Sequence, residues 1–157
     1  MRVIQALLVV ALLSGSAWWA WTQTQPTSVA AAAVASPNYQ LGPNQHLTVY
    51  YFHGSARCTS CVTIEQLTRE AVEHGWPELV QQGQVELRSI NVDLAENRHY
   101  IDDFQLVTRS VVVSLAQSGT EPRWRRLDSV WQLFNNRQAF FQYLYGETGL
   151  LVTGASS

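Results

Sequence analysis

The sequence contains no lysine; all 10 of its basic residues are arginine. No physical reading attaches to that bias. Charged residues make up only 14% of the chain, and the net charge is −2. There is no long basic run, which argues against nucleic acid as a partner, because duplex binding needs a concentrated cationic face. There are only 2 cysteines, Cys58 and Cys61. That excludes a disulfide-scaffolded mini-domain and a four-cysteine zinc ribbon. A Gly-rich phosphate loop, a His-Glu-x-x-His run and an internal repeat are also lacking, so no cofactor or metal site is written into the chain by motif.

What is present divides into parts. Val3 to Trp21 is apolar apart from Gln5, Ser14, Gly15 and Ser16. As a helix it would span roughly 28 Å at ~1.5 Å per residue, near the thickness of a bilayer's hydrocarbon core. Arg2 precedes the run, and Trp18, Trp19 and Trp21 gather at its far end, where an interfacial aromatic belt would lie. Residues 1–22 therefore read as an N-terminal transmembrane anchor. Ser14-Gly15-Ser16 also fits a cleaved signal peptide. Either reading carries everything after about residue 22 across a bacterial inner membrane to the periplasm. Residues 23–45, rich in Gln, Thr, Ser, Pro and Ala and free of charge, read as a flexible linker.

Residues 46–148 read as one α/β domain, with 149–157 as a C-terminal tail. Leu47–Phe52 is β-branched and aromatic, a buried strand. From Thr59 a helix is predicted, with Ile64, Leu67, Ala71 and Val72 inward and Gly75 and Pro77 ending it. Val85–Val92 alternates as a strand. Glu96–Phe104 reads as a short helix with Tyr100, Ile101 and Phe104 inward. Val111–Val113 and Arg123–Leu127 read as strands joined through Ser118-Gly119. Asp128 or Ser129 caps a C-terminal helical region that Asn135-Asn136 divides. Arg123-Trp124-Arg125-Arg126 reads as an edge strand protected by charge. The order β-α-β-α-β-β-α gives a mixed central sheet flanked by helices.

Arg57-Cys58-Thr59-Ser60-Cys61 falls where the first strand hands over to a helix. Free N–H groups and the macrodipole at a helix N-terminus favour a thiolate. Cys58 is then the exposed nucleophile. Cys61, one turn on, can resolve a mixed disulfide formed at Cys58. Arg57 would add positive charge beside it. His53 ends the first strand, where it could move a proton or join the cysteines on a metal. His74 is too far along its helix to share the site, and His46 and His99 read as surface residues.

The stretch from Thr48 to Leu127 resembles thioredoxin. A closer likeness, on Tyr51-Phe52-His53-Gly54, Arg57-Cys58, Cys61, Asn91-Val92-Asp93, Glu96-Asn97-Arg98-His99 and Thr108-Arg109-Ser110, is to the nitrophenyl compound nitroreductase subunit ArsF family. The resemblance implies a thioredoxin-like fold, catalytic Cys58 and Cys61, a loop at Arg109 facing them, and a part in reducing nitroaromatic compounds alongside partner proteins. The chain departs from thioredoxin at Phe52, where a buried Asp would stand, and at Thr108-Arg109-Ser110, where a cis-Pro would stand. A cis bond before a non-Pro residue costs about 2.5–4 kcal/mol, so trans geometry is expected there. Arg109 could then approach Cys58. The expected function is a membrane-tethered periplasmic thiol–disulfide oxidoreductase with a protein thiol or disulfide partner. The alternatives are a soft-metal or arsenite-binding module using the Cys pair, and a structural subunit of a reductase complex.

The N-terminal reading has its own test. A C-terminal reporter active only after export should be active and should fractionate with the membrane. A shortened, soluble product would select the cleaved signal instead.

Overall fold

The computed structural model describes residues 36, 37 and 39–154. The anchor or signal segment 1–22 and most of the linker, 23–35, lie outside the described residues. Among those described, no helix is long and apolar enough to cross a membrane.

The architecture is a four-stranded mixed sheet flanked by helices, in the order β2-β1-β3-β4. Strand β1 (Gln45–His53) leads into helix α1 (Thr59–Gly75). Helix α2 (Pro77–Gln81) and strand β2 (Val85–Asn91) follow. A 3₁₀ turn at Ala95–Asn97 and helix α3 (His99–Asp103) precede strands β3 (Val111–Gln117) and β4 (Thr120–Leu127). Helices α4 (Val130–Leu133) and α5 (Arg137–Thr153) close the domain. β1 pairs in parallel with β2 and antiparallel with β3, and β3 pairs antiparallel with β4. This connectivity is compatible with the thioredoxin-like expectation.

Strand alternation decides which face each side chain serves. Leu47, Val49 and Tyr51 of β1 join Val85, Val111, Val113, Leu115 and Leu127 in the larger core, against Ile64, Leu67, Ala71 and Val72 of α1 and Phe140, Phe141 and Leu144 of α5. Phe52 turns to the opposite face, with Val92, Phe104 and Val112, and Tyr50, Tyr100 and Trp124 pack around them. Each fully buried side chain of this size contributes about 1.5–3 kcal/mol. A helix on each side of the sheet is therefore a requirement of β1's sequence, which is large and apolar at alternate positions on both faces.

Several details differ from the sequence reading. Ile101 is exposed, while Tyr100 and Phe104 turn inward. A helix this short presents only one narrow stripe, and the two aromatic rings fill it. Tyr39 and Leu41, in the segment read as linker, pack against the core, so the domain begins before residue 46. The tail also shortens: α5 runs to Thr153, and Leu151 is buried. The helix ends at Gly154, whose φ of 71° is the left-handed stop that glycine supplies without strain. The division at Asn135-Asn136 is present, with the Asn136 side chain capping α5 by accepting the Ala139 N–H. Ser129 stands at the N-cap of α4 but makes no side-chain cap. β4 lies at the sheet edge, and its Arg125 and Arg126 pair with Glu147 and Asp128.

Gly75 marks a close approach of α1 to α5. A Cβ there would lie 2.7 Å from Cε1 of Tyr145, whose hydroxyl donates to the Ala71 carbonyl. An Ala at a helix position normally gains up to ~1 kcal/mol over Gly. Here Gly75→Ala should instead destabilise by about 1–3 kcal/mol through overpacking. Urea unfolding measures it, and an unchanged or raised midpoint would contradict the packing described.

Candidate functional site

The site forms where β1 ends and α1 begins. Cys58 is the N-cap of α1, with φ −83° and ψ 162°, the extended geometry of that position. Its Sγ accepts the Cys61 backbone N–H at 3.1 Å. The sulfur therefore takes the place that a Ser or Asp oxygen takes in other caps. Cys58 and Cys61 are joined as a disulfide with their Cα atoms 5.0 Å apart. Cys58 is exposed and Cys61 half-buried, the order expected of an attacking and a resolving sulfur. No acidic residue occupies the first turn of α1, so nothing there offsets the partial positive charge of its N-terminus.

The surrounding side chains arrange themselves around Tyr51. Its ring is buried, and its hydroxyl donates to the Cys61 carbonyl at 2.6 Å. Burial pushes the phenol up to about 12, so it stays a donor at neutral pH. The His53 ring stacks on Tyr51 at 5.9 Å, and the Arg57 guanidinium sits 6.0 Å from the same ring. His53 Nδ1 meets the Gly54 carbonyl at 2.9 Å. A carbonyl can only accept, so Nδ1 carries a proton and Nε2 is the free nitrogen of the neutral ring.

Arg57 has a partner of its own. It pairs with Glu65 on α1, and Glu65 also accepts the Ser89 hydroxyl at 2.7 Å. Burial alone would raise the Glu65 carboxyl; the hydrogen bonds from Ser89 and Arg57 outweigh it and hold it below its ordinary value. Glu65 thus stays an anion that competes for Arg57.

Arg109 also has its own partner. Its Nη2 donates to Asp93 Oδ1 at 3.0 Å, and its carbonyl accepts the Trp131 indole N–H at 2.7 Å. The other Asp93 oxygen accepts the Ser55 N–H at 2.8 Å. That backbone hydrogen bond, with the Arg109 charge beside it, holds the Asp93 carboxyl below its usual range. There are no cis peptide bonds among the described residues, so the bonds before Arg109 and Ser110 are trans, as expected.

The sequence singles out Cys58, Cys61, Arg57, His53 and Arg109. The structure brings the cysteines together and sets Arg57 and His53 against the same Tyr51 ring. Arg109 is placed on the loop leading to Cys58 through Asp93. Among the described residues, no three His, Cys, Asp or Glu side chains are grouped to hold a metal. Glu65 and Ser89 escape the sequence reading, and Tyr51 and Asp93 enter it only as motif residues with no role assigned to them. The role of Tyr51 could have been found: it falls on the core face of a strand, and a buried phenol needs a hydrogen-bond partner. Glu65 stands one helical turn beyond Cys61, a second available signal.

In the reduced protein, the Cys58 thiol should titrate below the free value of about 8.5. The rate of alkylation against pH, measured on a Cys61→Ser variant, gives the value. Adding Arg57→Ala should raise it by no more than about half a unit, because Glu65 already holds that charge in a pair still partly open to solvent. A Cys58 that titrates at the free value would remove its standing as the nucleophile.

No protein-family profile matches the chain, and comparison with curated proteins finds no significant similarity. What the Cys pair does is therefore read from its own chemistry and placement.

Proposed function

We propose that this protein is a thiol–disulfide oxidoreductase of thioredoxin-like fold, working through Cys58 and Cys61. The observation that carries the reading is the position of Cys58: an exposed sulfur at the N-cap of α1, bonded to a Cys61 one turn further on. The same two residues on a helix surface with no N-cap sulfur would be a plain disulfide. Here the N-terminal N–H groups stabilise the thiolate that exchange chemistry requires.

The reaction proceeds in two displacements. The Cys58 thiolate attacks one sulfur of a partner disulfide. The Cys58–partner bond forms, the partner's S–S bond breaks, and the departing sulfur leaves with the electron pair and takes a proton. The Cys61 thiolate then attacks Cys58 Sγ. The second partner sulfur departs in the same way, and Cys58 and Cys61 are left as the disulfide. The partner gains two electrons and two protons, and the Cys pair loses them. Run backwards, the same steps oxidise a dithiol partner.

The finer reading follows from the sequence. The apolar segment 1–22 supports a membrane-tethered protein whose domain faces the periplasm, where a disulfide partner is at home. The likeness of the motifs around Cys58, Asp93 and Arg109 to the ArsF family supports a role as a subunit in nitroaromatic reduction. In that role the Cys pair would pass electrons to or from the partner that meets the nitro compound.

Titration of the full-length protein against glutathione buffers tests the proposal. A reversible two-electron couple is expected, abolished by Cys58→Ser and accompanied by exchange with a disulfide substrate. Tight binding of arsenite or a soft metal without exchange would select the metal-binding alternative. Unimpaired cellular function of Cys58→Ser would select a structural subunit.

A further inference from the structure

The loop Gly54–Arg57 is all that separates the end of β1 from Cys58, and its anchors come from distant parts of the chain. Asp93, just past β2, accepts the Ser55 N–H at 2.8 Å. Asn91, at the end of β2, donates to the Ser55 hydroxyl at 3.1 Å. Arg109, ahead of β3, pairs with Asp93 at 3.0 Å and is itself fixed by Trp131 of α4 through its carbonyl. The guanidinium and the carboxylate close directly over Gly54. A Cβ on that residue would lie 2.7 Å from Arg109 Nη2 and 2.9 Å from Asp93 Oδ2. Gly54 is buried under the pair, and only the missing side chain lets it come so near.

From this geometry we infer that Gly54, Asp93 and Arg109 form a clamp of positioning residues that holds Cys58 in its disulfide-bonded place and so biases the Cys pair toward the oxidised form. The inference rests on the redox function proposed above. Opening the disulfide requires the two sulfurs to separate to van der Waals distance. Cys61 sits inside the first turn of α1, with its N–H and carbonyl both engaged. Both cysteines are held at the start of α1, Cys58 by giving its carbonyl to the Val62 N–H at 3.0 Å, and Cys58 is the one joined directly to the Gly54–Arg57 loop, so any backbone shift of Cys58 as the bond opens is taken up by that loop. The clamp, fitted to the disulfide-bonded arrangement, resists that displacement. Whatever holds one redox form better than the other sets the potential.

The clamp works by contact more than by charge. The Asp93 and Arg109 side chains are 41% and 50% exposed, and ion pairs so exposed contribute little and are screened by salt. The Ser55 hydrogen bond and the close approach over Gly54 are what hold the loop. Asp93→Asn keeps an acceptor for Ser55, whereas Asp93→Ala removes it. Gly54→Ala leaves both side chains present but pushes them off the loop.

The experiment is the glutathione titration of full-length wild type, Asp93→Ala, Asp93→Asn and Gly54→Ala, with thermal unfolding of each oxidised protein as a check on folding. Asp93→Ala and Gly54→Ala should each favour the dithiol by about fivefold or more in the exchange equilibrium constant. Asp93→Asn should move it less, and added salt should leave wild type nearly unchanged. Folded Asp93→Ala and Gly54→Ala proteins that both titrate within about twofold of wild type, or that shift toward the disulfide, overturn the clamp. So does an Asp93→Asn shift equal to that of Asp93→Ala, since charge alone would then explain it. A wild type with no reversible couple fails at an earlier step, and the redox function falls together with the clamp.

Discussion

Strand β1 is hydrogen-bonded along both edges, to β2 on one side and β3 on the other. It is also covered on both faces, by the α1–α5 core and by the aromatic cluster around Phe52. A strand in that position cannot shift register by one residue without carrying Val49 and Tyr51 into the Phe52 layer. Its last residue, His53, is therefore a fixed point. The loop that follows and the first turn of α1 are built outward from it, so the location of the two sulfurs is an outcome of core packing. The Tyr51 hydroxyl makes the dependence direct: a ring held in the core donates to the backbone of Cys61.

Around that fixed point the polar side chains have partners of their own. Arg57 is held by Glu65, Arg109 by Asp93, and His53 by the Gly54 carbonyl. In the redox role proposed above, the thiolate would be supported by the backbone N–H groups and the dipole of α1. Arg57 and Arg109 fix the helix face and the loop through Glu65 and Asp93.

Much of this is legible in the residues. The helix after Cys58 could be read because Ile64, Leu67, Ala71 and Val72 repeat with its period and Gly75-Trp76-Pro77 stops it. The cap at Asn136 could be read from Asn135-Asn136. The sheet order could not, because pairing between strands far apart in the chain leaves no local periodicity. The same limit hid the partners of Arg57 and Arg109. Each Arg finds its carboxylate across a fold contact, Glu65 through the turn into α1 and Asp93 through the ends of β2 and the 105–110 loop. A charge near a cysteine in sequence says nothing about which counter-ion the fold will bring closer. Ile101 went astray for a related reason: with so few residues in α3, helical period alone does not say which flank of the stripe meets the sheet.

The disulfide spans a sequence separation of 3, all within the start of one helix. It therefore ties no strand to another and no helix to the sheet. The large core, the parallel pairing of β1 with β2 and the docking of α5 are all made by contacts in which the two sulfurs take no part. Breaking the bond removes none of those contacts, and a separation of 3 residues keeps the two cysteines within one helical turn of each other. Under the redox role proposed above, the pair would pass between its two states with that framework intact.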